Sequence, residues 1–121
     1  MGKAAGGASA VMTWDDVATM ALALPGATLG TSYGRAAVVV RGKMFVVIGK
    51  TPDHIVLRLA LDEVDMLMAT DPDCFYQTPH YQGWPAVQAR LDNADPDRIG
   101  LLLARAWAGL ASATQRKAHG L

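Results

Sequence analysis

The chain has 121 residues, 51% apolar and 18% charged, a composition that suits one globular domain and excludes an extended disordered chain. Eleven bases balance eleven acids, so the formal net charge is zero and the global field of a strongly basic nucleic-acid binder is absent. The single cysteine, Cys74, excludes an internal disulfide and fits a reducing compartment, and no apolar run is long enough to span a bilayer.

Residues 1–12 begin Gly-, Ala- and Ser-rich without the apolar core of a signal peptide, and read as a flexible leader on a cytoplasmic protein. Thr13, followed by Trp14, Asp15 and Asp16, is a hydroxyl cap with acids in the first helical turn. Val17, Met20, Ala21 and Leu24 then recur at helical spacing until Pro25-Gly26 stops them. Residues 27–34 read as turn-rich. The β-branched runs Ala36–Val40 and Met44–Ile48 form a hairpin through Arg41-Gly42-Lys43. After Thr51-Pro52-Asp53, the stretch from His54 alternates, with Ile55, Leu57 and Leu59 on one side and His54, Val56 and Arg58 on the other.

Leu61-Asp62 opens a second helix whose inner stripe is Val64, Leu67 and Met68, and Asp71-Pro72 ends it. A short strand from Phe75 to Thr78 leads through Pro79-His80-Tyr81-Gln82-Gly83 into another alternating strand, Trp84 to Leu91. There Val87, Ala89 and Leu91 face inward, and Gln88 and Arg90 outward. Asp95-Pro96 starts a last helix with Ile99, Leu102, Leu103, Ala106 and Leu110 on one side. Residues 114–121 read as a flexible basic tail, which leaves one domain over residues 13–113.

This order, α-β-β-β-α-β-β-α, predicts an α+β fold of two layers: a five-stranded antiparallel sheet with the helices on one face. The other face stays open and carries Arg58 and Arg90, joined by Val39 and Arg41 or by Phe45 and Val47 according to the register of the first hairpin. Charge is segregated along the chain. Arg35, Arg41, Lys43, Lys50 and Arg58 meet one acid, Asp53, whereas Asp62, Glu63, Asp65, Asp71 and Asp73 follow without a base.

The element order resembles the MmcQ/YjbR family, together with Leu24-Pro25-Gly26, Thr31-Ser32-Tyr33-Gly34, Val40-Arg41-Gly42-Lys43 and the stretch from Thr78 to Pro85, TPHYQGWP. The resemblance covers about Thr13 to Leu110 and is most specific in that last stretch. It implies a CyaY-like α/β domain with a five-stranded sheet and a DNA-binding label drawn from fold analogy. One departure stands out: the family's proline and aromatic after TSYG are replaced, so that Tyr33-Gly34 runs into Arg35-Ala36-Ala37-Val38.

Three functions follow as expectations. In the first, DNA meets the open face, with Arg41, Lys43, Arg58 and Arg90 on phosphates and His80, Tyr81 and Trp84 at the contact surface. In the second, an apolar patch around Val39, Phe45, Val47 and Val56 serves a protein partner or a second copy of the chain. The third is a small-molecule pocket lined by Tyr33, Thr78, His80 and Tyr81. No catalytic residue, metal site or cofactor is expected. His80 has no acid near it in sequence, Cys74 has no base at readable spacing, and the histidines and cysteine lack ligand spacing. The chain is therefore expected not to be an enzyme.

Overall fold

The structure is a computed structural model that describes residues 11–120. The first ten residues of the expected leader lie outside that range. Of its last two, Val11 is exposed but Met12 is buried in the core, so the domain begins earlier than the composition suggests.

Helix α1 (Trp14–Leu22) is capped as expected: Thr13 accepts from the Asp16 amide at 3.3 Å, and Asp16 Oδ2 accepts from the Thr13 amide at 2.9 Å. Four strands follow, β1 (Thr28–Ser32), β2 (Arg35–Val40), β3 (Lys43–Ile48) and β4 (His54–Arg58). Then come α2 (Leu61–Thr70), β5 (Phe75–Tyr76), a 3-10 turn at Pro79–Tyr81, β6 (Ala86–Arg90), α3 (Pro96–Ala108) and α4 (Ala113–Ala118). The strands form one sheet in the order β1-β2-β3-β4-β6-β5, with every neighbouring pair antiparallel.

The sheet has six strands, not five. The additional one is β1, in the stretch expected to be turn. Its residues, Thr-Leu-Gly-Thr-Ser, have no apolar alternation, and pairing with β2 at the sheet edge decides its conformation. The β1–β2 and β2–β3 hairpins close on two residues each, Tyr33-Gly34 (φ +52° and +79°) and Arg41-Gly42 (φ +53° and +77°). Left-handed geometry at both positions is what a two-residue type I′ hairpin requires, and the glycine supplies half of it without strain. A second difference concerns the expected basic tail. Residues 113–118 are helical, held by a capping box between Ser112 and Gln115.

Helices α1, α2 and α3 cover one face of the sheet. Under them lie Val38 and Val40 of β2, Ile55 and Leu57 of β4, and Val87 and Ala89 of β6, all fully buried with the stripes of the helices. Trp107 of α3 is the largest buried side chain, and its indole N–H donates to the Pro25 carbonyl at 2.8 Å, which ties α3 to the end of α1. Phe45 belongs to this core and not to the open face. The β2–β3 register shifts between Val38 and Val39, pairing Val38 with Val46 but Val39 with Met44. Phe45 is the extra residue, and the bulge turns it toward the helices.

Candidate functional site

The face opposite the helices is built by strand register. One row crosses all six strands: Gly30, Ala37, Val47, Val56, Gln88 and Tyr76 are successive cross-strand partners. Directly alongside it, His54 pairs with Arg90 on one side and Arg58 with Ala86 on the other. Because partners share a face, two arginines and a histidine border an apolar centre. Arg35 at the start of β2 and Lys50 after β3 reach the same surface. Gly49 makes room for the turn before β4. Its amide donates to the His54 carbonyl at 2.7 Å, and a Cβ there would stand 2.9 Å from that oxygen.

The apolar centre is not bare. The segment between β5 and β6 crosses it and lays Tyr81 on the cluster of Ala37, Val47, Val56 and Ala86. Side-chain amides fasten this crossing: Gln77 donates to the carbonyls of Trp84 (3.1 Å) and Ala86 (2.7 Å), and Gln88 accepts from the Thr78 amide at 2.7 Å. Three rings gather at its tip. His80 stacks on Trp84 with centroids 5.9 Å apart and meets Tyr81 edge-on at 4.9 Å. Trp84 remains 54% exposed, so this cluster is a surface feature and not core.

Tyr81 divides the face into two clefts that share Arg35, His80 and Tyr81. The larger, about 720 Å³, adds Lys50, His54, Tyr76 and Arg90. The smaller, about 390 Å³, adds Tyr33, Arg58 and Trp84. Neither is lined by a carboxylate. On the floor of the larger cleft the Tyr76 hydroxyl lies 3.0 Å from His54 Nδ1, and the Arg90 guanidinium covers the Tyr76 ring at 4.1 Å from its centroid. Burial pushes the Tyr76 phenol above its ordinary value, Asp53 adds to that, and Arg90 opposes it. Asp53 itself lines neither cleft, and the Thr51 hydroxyl at 2.6 Å holds its carboxyl below the usual range.

Not every expected residue arrives here. Arg58, Arg90, His80, Tyr81 and Trp84 do. Arg41 does not: it sits in the β2–β3 turn and its guanidinium donates to the Leu110 carbonyl, on the helix side, at 3.4 Å. Lys43 pairs with the core residue Val40 and so belongs to the helix side of the sheet as well. The expected pocket of Tyr33, Thr78, His80 and Tyr81 is split by Tyr81. Thr78 lines only the larger cleft and Tyr33, 99% exposed, only the smaller.

Arg35, Lys50, His54 and Tyr76 are additions. The alternation around Val56 already placed His54 outward, and the basic run from Arg35 to Arg58 was a signal for the first two. Cys74 is buried, and burial, with Asp71 second, pushes its thiol up, away from nucleophilic chemistry. Among the described residues no group of three or more His, Cys, Asp or Glu side chains could hold a metal ion, and no helix is long and apolar enough to cross a membrane.

Comparison with known proteins adds two findings. A family model described as YjbR matches residues 22–108. The fold is similar to the crystal structure of the Deinococcus radiodurans protein DR2400, a DUF419 domain. The TM-score is 0.70 at 19% identity, covering 92% of this chain and 90% of the other. No curated protein matches the chain.

Proposed function

The chain belongs to the YjbR family, and from that premise we propose that it binds nucleic acid, DNA foremost, through the sheet face opposite the helices. The observation that carries the reading is the separation of charge between the two layers. Among the described residues no strand contains an acid, whereas strands β2, β4 and β6 bring Arg35, Arg58 and Arg90 to or beside the clefts. The helices and their flanks hold Asp15, Asp16, Asp62, Glu63, Asp65 and Asp97, and two of their bases are paired with acids: Arg98 with Asp71 at 3.2 Å, and Arg105 with Glu63. Among the described residues no salt bridge involves Arg35, Lys50, Arg58 or Arg90.

A neutral protein thus presents cationic clefts that no acid lines to a polyanion. Arg35, Lys50, Arg58 and Arg90 contact phosphates on this reading, and His80, Tyr81 and Trp84 meet sugar or base. It assigns no reaction, since His80 faces no carboxylate and Cys74 is shielded. Self-association through Phe45, Val47 and Val56 is less well supported, because all three are buried within the chain.

Binding of DNA titrated against increasing salt tests the proposal. Four phosphate contacts give a log–log slope of about −2.8 to −3.6, at roughly 0.7–0.9 per contact. Charge reversal at Arg35 and Arg58 together should weaken binding at least about tenfold, as expected for lost phosphate neutralisation. Salt-independent affinity, or no binding at low salt, would overturn it.

A further inference from the structure

Resting on the nucleic-acid reading, we infer that the occupant of this face is an unpaired strand and not a duplex, laid across the sheet past Tyr81. The first ground is shape. A duplex shows its base edges to an element that projects into a groove, such as a helix or a two-stranded ribbon. Here the cations border recesses in the protein, with the crossing between β5 and β6 standing beside them. A recess lined by cations and rings is the form that tracks a single backbone.

The second ground is the rings. Tyr33 is 99% and Trp84 54% exposed, both on the smaller cleft, and His80 is exposed between the two clefts. In a duplex the faces of the bases are occupied by their neighbours, so side-chain rings can stack only on bases that are unpaired. Large exposed aromatics beside phosphate-binding cations therefore favour the strand.

The third ground is continuity and length. The two clefts share Arg35, His80 and Tyr81, which makes them one interrupted track with Arg90 and Lys50 in one part and Arg58 in the other. From Arg90 on β6 to Arg35 on β2 the track crosses three strand spacings. At about 4.8 Å each that is about 14 Å. The distance accommodates only a few nucleotides, since an unpaired strand parted by a ring is not held to the stacked spacing of a duplex. Tyr81 lines both parts of the track, its ring packed on the apolar cluster beneath, and so offers a rigid stop between successive bases.

The test is fluorescence anisotropy of the full chain with a labelled oligothymidylate of about twelve nucleotides and with a duplex of about twenty base pairs, both at low salt. The strand is expected to bind about tenfold tighter or more. Trp84→Ala should lower strand affinity by about tenfold, the effect of one lost base stack, and Trp84→Phe should restore most of it. Circular dichroism confirms that both variants fold, as the exposure of Trp84 leads one to expect. Duplex binding as tight as the strand, or strand binding indifferent to Trp84→Ala, overturns this inference and leaves the nucleic-acid reading standing. Failure of both oligonucleotides to bind overturns both.

Discussion

The two faces of the sheet are made by the same short strands, and successive residues go to opposite fates. In β4, Ile55 and Leu57 lie fully buried beneath the helices, while His54, Val56 and Arg58 face the clefts. In β6, Val87 and Ala89 enter the core while Gln88 and Arg90 look outward. The helix face is closed by apolar packing, with no polar or charged side chain buried in it among the described residues. The cleft face keeps only a small apolar centre, closed by Tyr81, and surrounds it with cations. The closed core and the lining of the clefts are thereby assigned to different sides of one scaffold, and a substitution on either side should affect mainly one of the two.

The strongest way to break this division is on the helix face. Trp107→Ala removes the largest buried side chain and strands the Pro25 carbonyl, and should cost about 3–5 kcal/mol in urea unfolding. Trp84→Ala, on the other face, should cost little by the same measurement. Equal losses at the two tryptophans would mean that the crossing is structural core after all.

A smaller effect sharpens the contrast at the back of the cleft. Cys74 sits behind Arg90, with its thiol directed at the Arg90 carbonyl at 3.6 Å, and burial raises its proton affinity in the folded state. The unfolded thiol releases its proton first as pH rises, so its contribution is intact below about pH 8.5. That contribution is lost as pH climbs toward the raised folded value. Thermal melts between neutral and alkaline pH should show a shallower decline for Cys74→Ala than for the natural chain. Parallel declines would show that the thiol is not the group responsible.

The smallest expected effect is the most pointed. The double variant Arg41→Ala with Lys43→Ala removes two bases that lie on the helix side of the sheet, so the salt slope of DNA binding should not change. A drop of about 1.4–1.8 in the slope would instead place both residues on phosphates.

Much of this architecture was legible. The capping residues of α1 and α3, the stripes of α1, α2 and α3, and the alternation of β4 and β6 are local signals, and their inward and outward assignments hold in the structure. Strand β1 was not legible, because an edge strand of small polar residues takes its form from a partner. Helix α4 was missed although Ser112 and Gln115 spell its capping box, since a six-residue helix carries almost no periodicity. At the site, Arg58, Arg90 and the His80–Trp84 cluster were accessible from pattern alone. Arg41 and Lys43 were misplaced because charge counts along the chain carry no information about side. Tyr76 came into the site only through the β5–β6 pairing, which no local rule announces.

The bulge at Phe45 has a consequence for how this chain tolerates insertions and deletions. In β4, losing one residue would exchange the two faces from that point on, sending Arg58 under the helices or Leu57 into the cleft. In β3 the count is already offset by one. Met44 and Val47 reach the same face although three positions separate them, because Phe45 absorbs the odd step. A single deletion at Phe45 would leave a regular ladder with Met44 and Val47 still facing the clefts. Such a deletion empties the place of a core phenyl ring without scrambling the surface. β3 is therefore the strand of this sheet in which chain length can drift while the cleft face keeps its composition.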